Sequence, residues 1–183
     1  MAKIHEDVEK ILVSEEELKE INRRLGQKIT EDFKDKKLFI VGILKGSIYF
    51  MTDLTRNIDL PLEIDFLAVS SYGGSTRSSG EVRILKDLSK SIEGYDVLLI
   101  EDILDTGRTL SYVSEMLRTR KANSITICTL LDKPERRAPD VDLVPDYVGC
   151  DVPNEFVVGY GLDYDQKYRN LPYIGVLKRS VYE

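Results

Sequence analysis

The chain has 183 residues, 42% hydrophobic and 32% charged, the balance of a globular protein that can bury one sizeable core rather than of a disordered one. No apolar run approaches the ~20 residues that cross a bilayer, and Met1-Ala2-Lys3-Ile4-His5-Glu6-Asp7 lacks the apolar stretch of a secretory signal, so no membrane partner and a cytoplasmic location are expected. The net charge of -6 opposes broad nucleic-acid binding, the two cysteines (Cys128 and Cys150) make no disulfide framework, and the single histidine, His5, excludes a histidine-rich zinc site. Any metal is then a hard ion held by oxygen ligands.

Along the chain, Ser14-Glu15-Glu16-Glu17 has the form of a capping box, with Ser14 at the N-cap and Glu17 three residues on. Leu18, Ile21, Leu25 and Ile29 follow at helical spacing and predict one apolar face. Leu38-Phe39-Ile40-Val41-Gly42-Ile43-Leu44 is a continuous apolar run, as in a strand covered on both faces. After Lys45-Gly46-Ser47, helical spacing returns at Met51, Leu54 and Ile58. Glu63 to Ser71 and Val82 to Leu85 read as two further strands. Between them, Tyr72 to Gly80 holds three glycines and no apolar anchor, which predicts a mobile loop. Val97-Leu98-Leu99-Ile100 is a buried strand, followed by a helix with Leu110, Val113, Met116 and Leu117 on one face and a strand from Ile125 to Leu131. Shorter strands are predicted around Tyr147 to Cys150, Phe156 to Tyr160 and Tyr173 to Leu177. Strand, helix, strand in this order implies right-handed crossovers and a largely parallel sheet in a three-layer α/β domain. No repeat or linker divides the chain, so residues 1–183 read as one domain.

The segment Val97-Leu98-Leu99-Ile100-Glu101-Asp102-Ile103-Leu104-Asp105-Thr106-Gly107-Arg108-Thr109-Leu110 carries the most chemistry. A buried strand ends in two adjacent carboxylates, then a short polar loop, then a helix, and ligands of open parallel sheets bind at such strand ends. Backbone N–H groups from Asp105 to Thr109, with the Thr106 and Thr109 hydroxyls, make an anion cradle at a helix N-terminus. Two carboxylates beside an anion site need a cation or a sugar diol between them and the anion. The parts together describe a pocket for a phosphorylated sugar carrying a metal.

This run closely resembles the phosphoribosyl-pyrophosphate motif of the purine phosphoribosyltransferases. The resemblance implies the phosphoribosyltransferase (type I) fold, a parallel-rich twisted sheet flanked by helices, with a small hood from the N- and C-terminal segments. It implies that Glu101 and Asp102 hold the ribose hydroxyls and the magnesium environment, and that Asp105, Thr106, Gly107, Arg108 and Thr109 bind the 5'-phosphate. Asp105 would serve as general acid/base near purine N7, a sensible role because the purine must lose a proton as it bonds to the sugar. Leu44-Lys45-Gly46-Ser47 resembles the family's pyrophosphate-binding turn, in which the peptide before the lysine is commonly cis, and Arg169 would join Lys45 and Gly46 there. Ser71 and Tyr72 resemble the serine-tyrosine of the loop that closes over the reacting sugar.

Base identity lies in other segments. Leu130-Leu131-Asp132-Lys133-Pro134, Glu155 to Tyr164 and Tyr168-Arg169-Asn170-Leu171-Pro172 resemble the hypoxanthine-guanine branch of the family. Lys133 carries donors and no acceptor, so it suits a 6-oxo group and has nothing to offer a 6-amino group. By resemblance, Phe156 faces the purine ring, Val157 recognises the base through its backbone, and Asp163 lies by the exocyclic edge and a metal with Glu101 and Asp102. The implied partners are a purine base and phosphoribosyl pyrophosphate with Mg2+, in a homodimer or homotetramer. The rival reading, an RNA-binding nucleotide-sensing regulator on the same fold, is opposed by Asp105 and by the acidic charge.

Overall fold

The computed structural model describes residues 3–71 and 82–183, so Tyr72 and the predicted loop through Gly80 lie outside the described residues. The centre is a six-stranded sheet of β2 (Leu38–Leu44), β3 (Leu62–Ser71), β4 (Val82–Lys86), β5 (Asp96–Leu104), β6 (Ser124–Asp132) and β7 (Tyr147–Asp151), in the order β4-β3-β2-β5-β6-β7. Every pairing is parallel except that of β4, which lies antiparallel on β3 at one edge. The near-continuous apolar runs of β2 and β5 are those of strands buried on both faces, and their side chains alternate between two cores. Leu38, Ile40, Leu98 and Ile100 enter one core, with α1 (Glu15–Asp32) and α2 (Ile48–Thr55) over it. Phe39, Val41, Val97 and Leu99 enter the other, covered by α3 (Arg108–Arg118).

The capping box is formed. Ser14 Oγ accepts from the Glu17 backbone N–H, and the Glu17 carboxylate accepts from Ser14 N at 2.7 Å, a pair of bonds that satisfies two otherwise free helix-end donors. Leu18, Ile21, Leu25 and Ile29 are buried as their spacing required. Met51 and Leu54 are buried within α2, whereas Ile58 is buried beyond its end. Helix α2 is capped at Arg56, and Asn57 just beyond packs against α1, where a Cβ on Gly26 would lie 2.5 Å from the Asn57 Cβ.

Both ends of the chain meet in a second, antiparallel sheet of order β1-β9-β8, made by β1 (Val8–Val13), β9 (Ile174–Leu177) and β8 (Val157–Val158). Val158, Tyr168, Leu171 and Leu177 form its own small core. The Tyr168 hydroxyl donates to Asp7 Oδ2 at 2.8 Å, and Lys178 N donates to the Asp7 carbonyl. This is the hood, and it stands beside the carboxyl ends of β2, β5 and β6.

Candidate active site

Strands β2 and β5 are neighbours, yet the chain leaves β2 toward β3 on one side and leaves β5 toward β6 on the other. That divergence opens a crevice at their carboxyl ends, the place where α/β sheets take ligands. Leu44-Lys45-Gly46 borders it from β2, and Glu101 to Gly107 from β5. A cleft of about 310 Å³ results, closed on the hood side by Asp163 and Arg169.

The floor of this cleft is the predicted phosphate loop. Gly107 sits at φ +81°, a left-handed conformation that suits glycine and lets α3 start abruptly at Arg108. No side chain caps α3, so its first N–H groups remain available to an anion. Asp105, Thr106, Gly107 and Thr109 line the cleft. The Arg108 guanidinium instead pairs with Asp140 at 2.7 Å, and Arg108 does not line the cleft.

Across the cleft, the Leu44–Lys45 peptide is cis. Lys45 Nζ donates to Gln166 Oε1 at 2.9 Å, and Arg169 reaches the same oxygen at 3.3 Å. Arg169 also pairs with Asp163 at 2.8 Å and donates to the Gly161 carbonyl. Two cations thus converge around Gln166, a residue that sequence reasoning passed over. Gly161 explains the closeness, since at φ +107° a Cβ on it would stand 1.9 Å from the Gly46 carbonyl oxygen. Gly46 is equally confined, as a Cβ there would fall 1.6 Å from Asp102 Oδ2.

Glu101 and Asp102 both border the cleft. Burial, and then the adjacent Asp102 charge, holds the Glu101 carboxyl well above the usual carboxylate range. A hard cation would offset both effects, so the pair suits an ion with oxygen ligands. Asp163 is turned to Arg169, and among the described residues no three metal-binding side chains converge. Such an ion would meet the Glu101–Asp102 pair in this cleft, which Asp163 also lines.

A second cleft, of about 340 Å³, shares Ile103 and Asp105 with the first and is lined by Lys133, Arg136, Phe156 and Val157. Lys133 follows β6 and is only 7% exposed, its Nζ donating to the Glu155 carbonyl at 2.7 Å. Burial pushes the Lys133 ammonium pKa down, and the Asp105 charge opposes that shift. Phe156 is 39% exposed and is backed by the Tyr182 ring, stacked at 4.9 Å, with Tyr164 edge-on at 5.7 Å. Asp163 borders the first cleft and not this one.

Two arginines were missed in the sequence. Arg136 Nε donates to Asp105 Oδ1 at 2.9 Å, and Arg137 Nη1 donates to the Asp105 carbonyl at 2.7 Å while its Nη2 meets Asp132. Nothing in the local pattern marks them, because a basic pair after a strand is ordinarily solvated.

This arrangement has close counterparts among known proteins. The Phosphoribosyl transferase domain family matches residues 7–165. A hypoxanthine-guanine phosphoribosyltransferase of Staphylococcus epidermidis is 58% identical over 179 residues, covering 98% of this chain and 99% of that protein. The bifunctional protein TilS/HprT of Listeria monocytogenes is 56% identical over 98% of this chain, which spans only 27% of that longer protein. A crystal structure of a hypoxanthine phosphoribosyltransferase from Staphylococcus aureus superposes with a TM-score of 0.95 at 55% identity, covering 100% of this chain and 98% of that one. The fold is thus the type I phosphoribosyltransferase fold, and the chain belongs to the phosphoribosyltransferase family, among relatives of the hypoxanthine-guanine branch.

Proposed function

We propose that this protein transfers the 5-phosphoribosyl group from phosphoribosyl pyrophosphate to N9 of hypoxanthine or guanine, giving IMP or GMP and pyrophosphate. One observation carries the reading. Two clefts of different chemistry meet at Asp105, one polar and set for a sugar phosphate, the other bounded by Lys133, Phe156 and Val157. A carboxylate at that junction can touch both a sugar carbon's attacking base and the solvent that receives the proton.

In this reading the Asp105–Thr109 loop anchors the 5'-phosphate, and Lys45, Gly46 and Arg169 hold the pyrophosphate. The C1–O bond breaks with its electron pair going to pyrophosphate, while the N9 lone pair forms the new bond through an oxocarbenium-like transition state. Asp105 accepts the purine proton near N7. Lys133 donates to the 6-oxo oxygen, and Phe156 offers its apolar face to the ring. Glu101 and Asp102 would hold Mg2+, which neutralises charge on the leaving group. Ser71 and Tyr72 would open the segment that excludes water. Position and resemblance together support these roles for the described residues, and resemblance alone supports them for Ser71 and Tyr72.

We extend the proposal to a cytoplasmic homodimer or homotetramer acting in purine salvage. No described helix is long and apolar enough to cross a membrane, and the exposed Ile48, Tyr49, Ile64 and Leu85 suit a subunit interface. An RNA-binding role gains no support from relatives named as enzymes. The deciding assay is nucleotide formation from hypoxanthine, guanine, xanthine, adenine and orotate with phosphoribosyl pyrophosphate and Mg2+. No product from any 6-oxopurine would refute the proposal.

A further inference from the structure

The Asp105 carboxylate has one side-chain partner among the described residues, Arg136, whose Nε lies 2.9 Å from Oδ1. Arg136 in turn makes no other side-chain hydrogen bond among them. The pair is about half exposed, at 45% for Arg136 and 40% for Asp105, and exposed ion pairs ordinarily contribute little to stability. Its location argues for more than a solvated contact, because Arg136 borders the same cleft as Lys133, Phe156 and Val157.

The backbone around it is fixed independently. Lys133 N donates to the Leu104 carbonyl, Arg137 Nη1 to the Asp105 carbonyl, and Ala138 N to the Thr106 carbonyl, at 3.0, 2.7 and 3.0 Å. The turn Pro134–Arg136 is thus laced to the phosphate loop, and Arg136 N closes the turn on the Lys133 carbonyl. With both backbones held, the remaining freedom of Asp105 is rotation of its own side chain, and the guanidinium restrains that. A base filling the cleft removes water from this contact, and a charged hydrogen bond strengthens as water leaves.

We propose that Arg136 is a positioning residue for the chemistry: its Nε fixes one oxygen of Asp105 and leaves the second free to take the purine proton and return it in the reverse reaction. This rests on the transfer reaction proposed above. The role differs from substrate binding, since no phosphate or sugar group need touch Arg136. It also differs from stabilisation, since the exposed pair can be lost with the fold intact.

The test is a double-mutant cycle on the full chain with Arg136→Ala, Asp105→Asn and the double variant, read as kcat and KM in both directions. Arg136→Ala should lower kcat about tenfold, part of the 10²–10⁴ that a general acid/base supplies, with KM for phosphoribosyl pyrophosphate within about twofold. Arg136→Lys should recover part of the rate, and added guanidinium should restore part of it to Arg136→Ala. In the Asp105→Asn background, removing Arg136 should cost nothing further. Arg120→Ala, which breaks the remote Arg120–Asp87 pair, serves as the control for loss of a surface arginine. An unchanged kcat, a loss confined to KM, or equal losses with and without Asp105 would overturn the role. A raised kcat would also overturn it, showing that the pair holds Asp105 away from the base. A wild type that forms no nucleotide would overturn the reaction itself and this role with it, whereas an active wild type indifferent to Arg136 overturns the role alone.

Discussion

Gly46→Ala separates geometry from stability at this site. The added Cβ would stand 1.6 Å from Asp102 Oδ2 and 2.5 Å from its Cγ, where real contacts essentially never fall below 3.0 Å. Asp102 cannot simply rotate away at no cost, because its Oδ1 accepts from the Ile103 backbone N–H at 2.7 Å. The turn cannot retreat either, since the Gly46 carbonyl packs against Gly161 so closely that a Cβ there would sit 1.9 Å away. Either the carboxylate or the turn must move by more than 1 Å, and a misplacement of about 1 Å at a reacting centre costs about 10²-fold in rate. Overpacking of this kind costs about 1–3 kcal/mol in stability, so the variant should still fold. Gly94→Ala is the matched control. Gly94 has φ +78° with nothing within 4 Å of its Cβ position, so alanine there should cost about 1–2 kcal/mol from left-handed strain alone and leave turnover intact. Steady-state kinetics with hypoxanthine, beside denaturant unfolding of both variants, makes the comparison. Wild-type kcat/KM in Gly46→Ala would refute the claim that this contact sets the Asp102 carboxylate.

Asp105→Asn should keep phosphoribosyl-pyrophosphate binding and lower turnover by about 10²–10⁴; unchanged turnover would remove Asp105 from the chemistry. The wild type should prefer hypoxanthine or guanine over adenine by at least ~10³ in kcat/KM, and Lys133→Gln, with both a donor and an acceptor, should narrow that gap; a mutant with full 6-oxopurine selectivity would show that Lys133 does not read the base. Removing the metal with a chelator should abolish activity and leave the thermal midpoint of the ligand-free protein unchanged, since two carboxylates at a strand end fasten no elements together; a large drop would mean a structural ion. Tyr160 donates to Asp53 Oδ2 at 2.6 Å and accepts from Asn22 Nδ2 at 3.0 Å, so Tyr160→Phe should cost about 1–3 kcal/mol at neutral pH. Burial first, then the Asp53 contact, raises the Tyr160 pKa. A raised folded-state pKa gives stability that is whole below the unfolded value of about 10 and is lost as the pH climbs further. The difference between wild type and Tyr160→Phe should therefore shrink above pH ~10 in unfolding titrations, and a constant difference would contradict this.

Much of the site was legible because its chemistry is contiguous. Val97 to Thr109 spells a buried strand, a carboxylate pair, a polar turn and a helix in one run, and each part depends on neighbours a few residues away. The Ser14–Glu17 capping box and the alternating faces of β2 and β5 are local in the same sense. Sequence periodicity was weaker at Ile58, where 3.6-residue spacing continued past the end of α2. Burial there comes from packing and not from helix, because periodicity reports a face and says nothing about where the chain stops turning.

The amino-acid sequence by itself determined the α/β character, the strand–turn–helix run through Thr109 and the residue types offered to a ligand, since these follow from period, propensity and charge over short stretches. Only the tertiary structure decided which distant groups meet. Val8 pairs with Leu177 in the hood, and β1 carries too little alternation to announce that partner. Arg136 reaches Asp105 across 31 positions, and Lys45 reaches Gln166 across 121. Each of these contacts depends on strand register and on how closely two backbones approach, as Gly46 and Gly161 allow. Register and approach are settled by packing over the whole core, where a shift of one residue exchanges every face, and no local run of side chains encodes them.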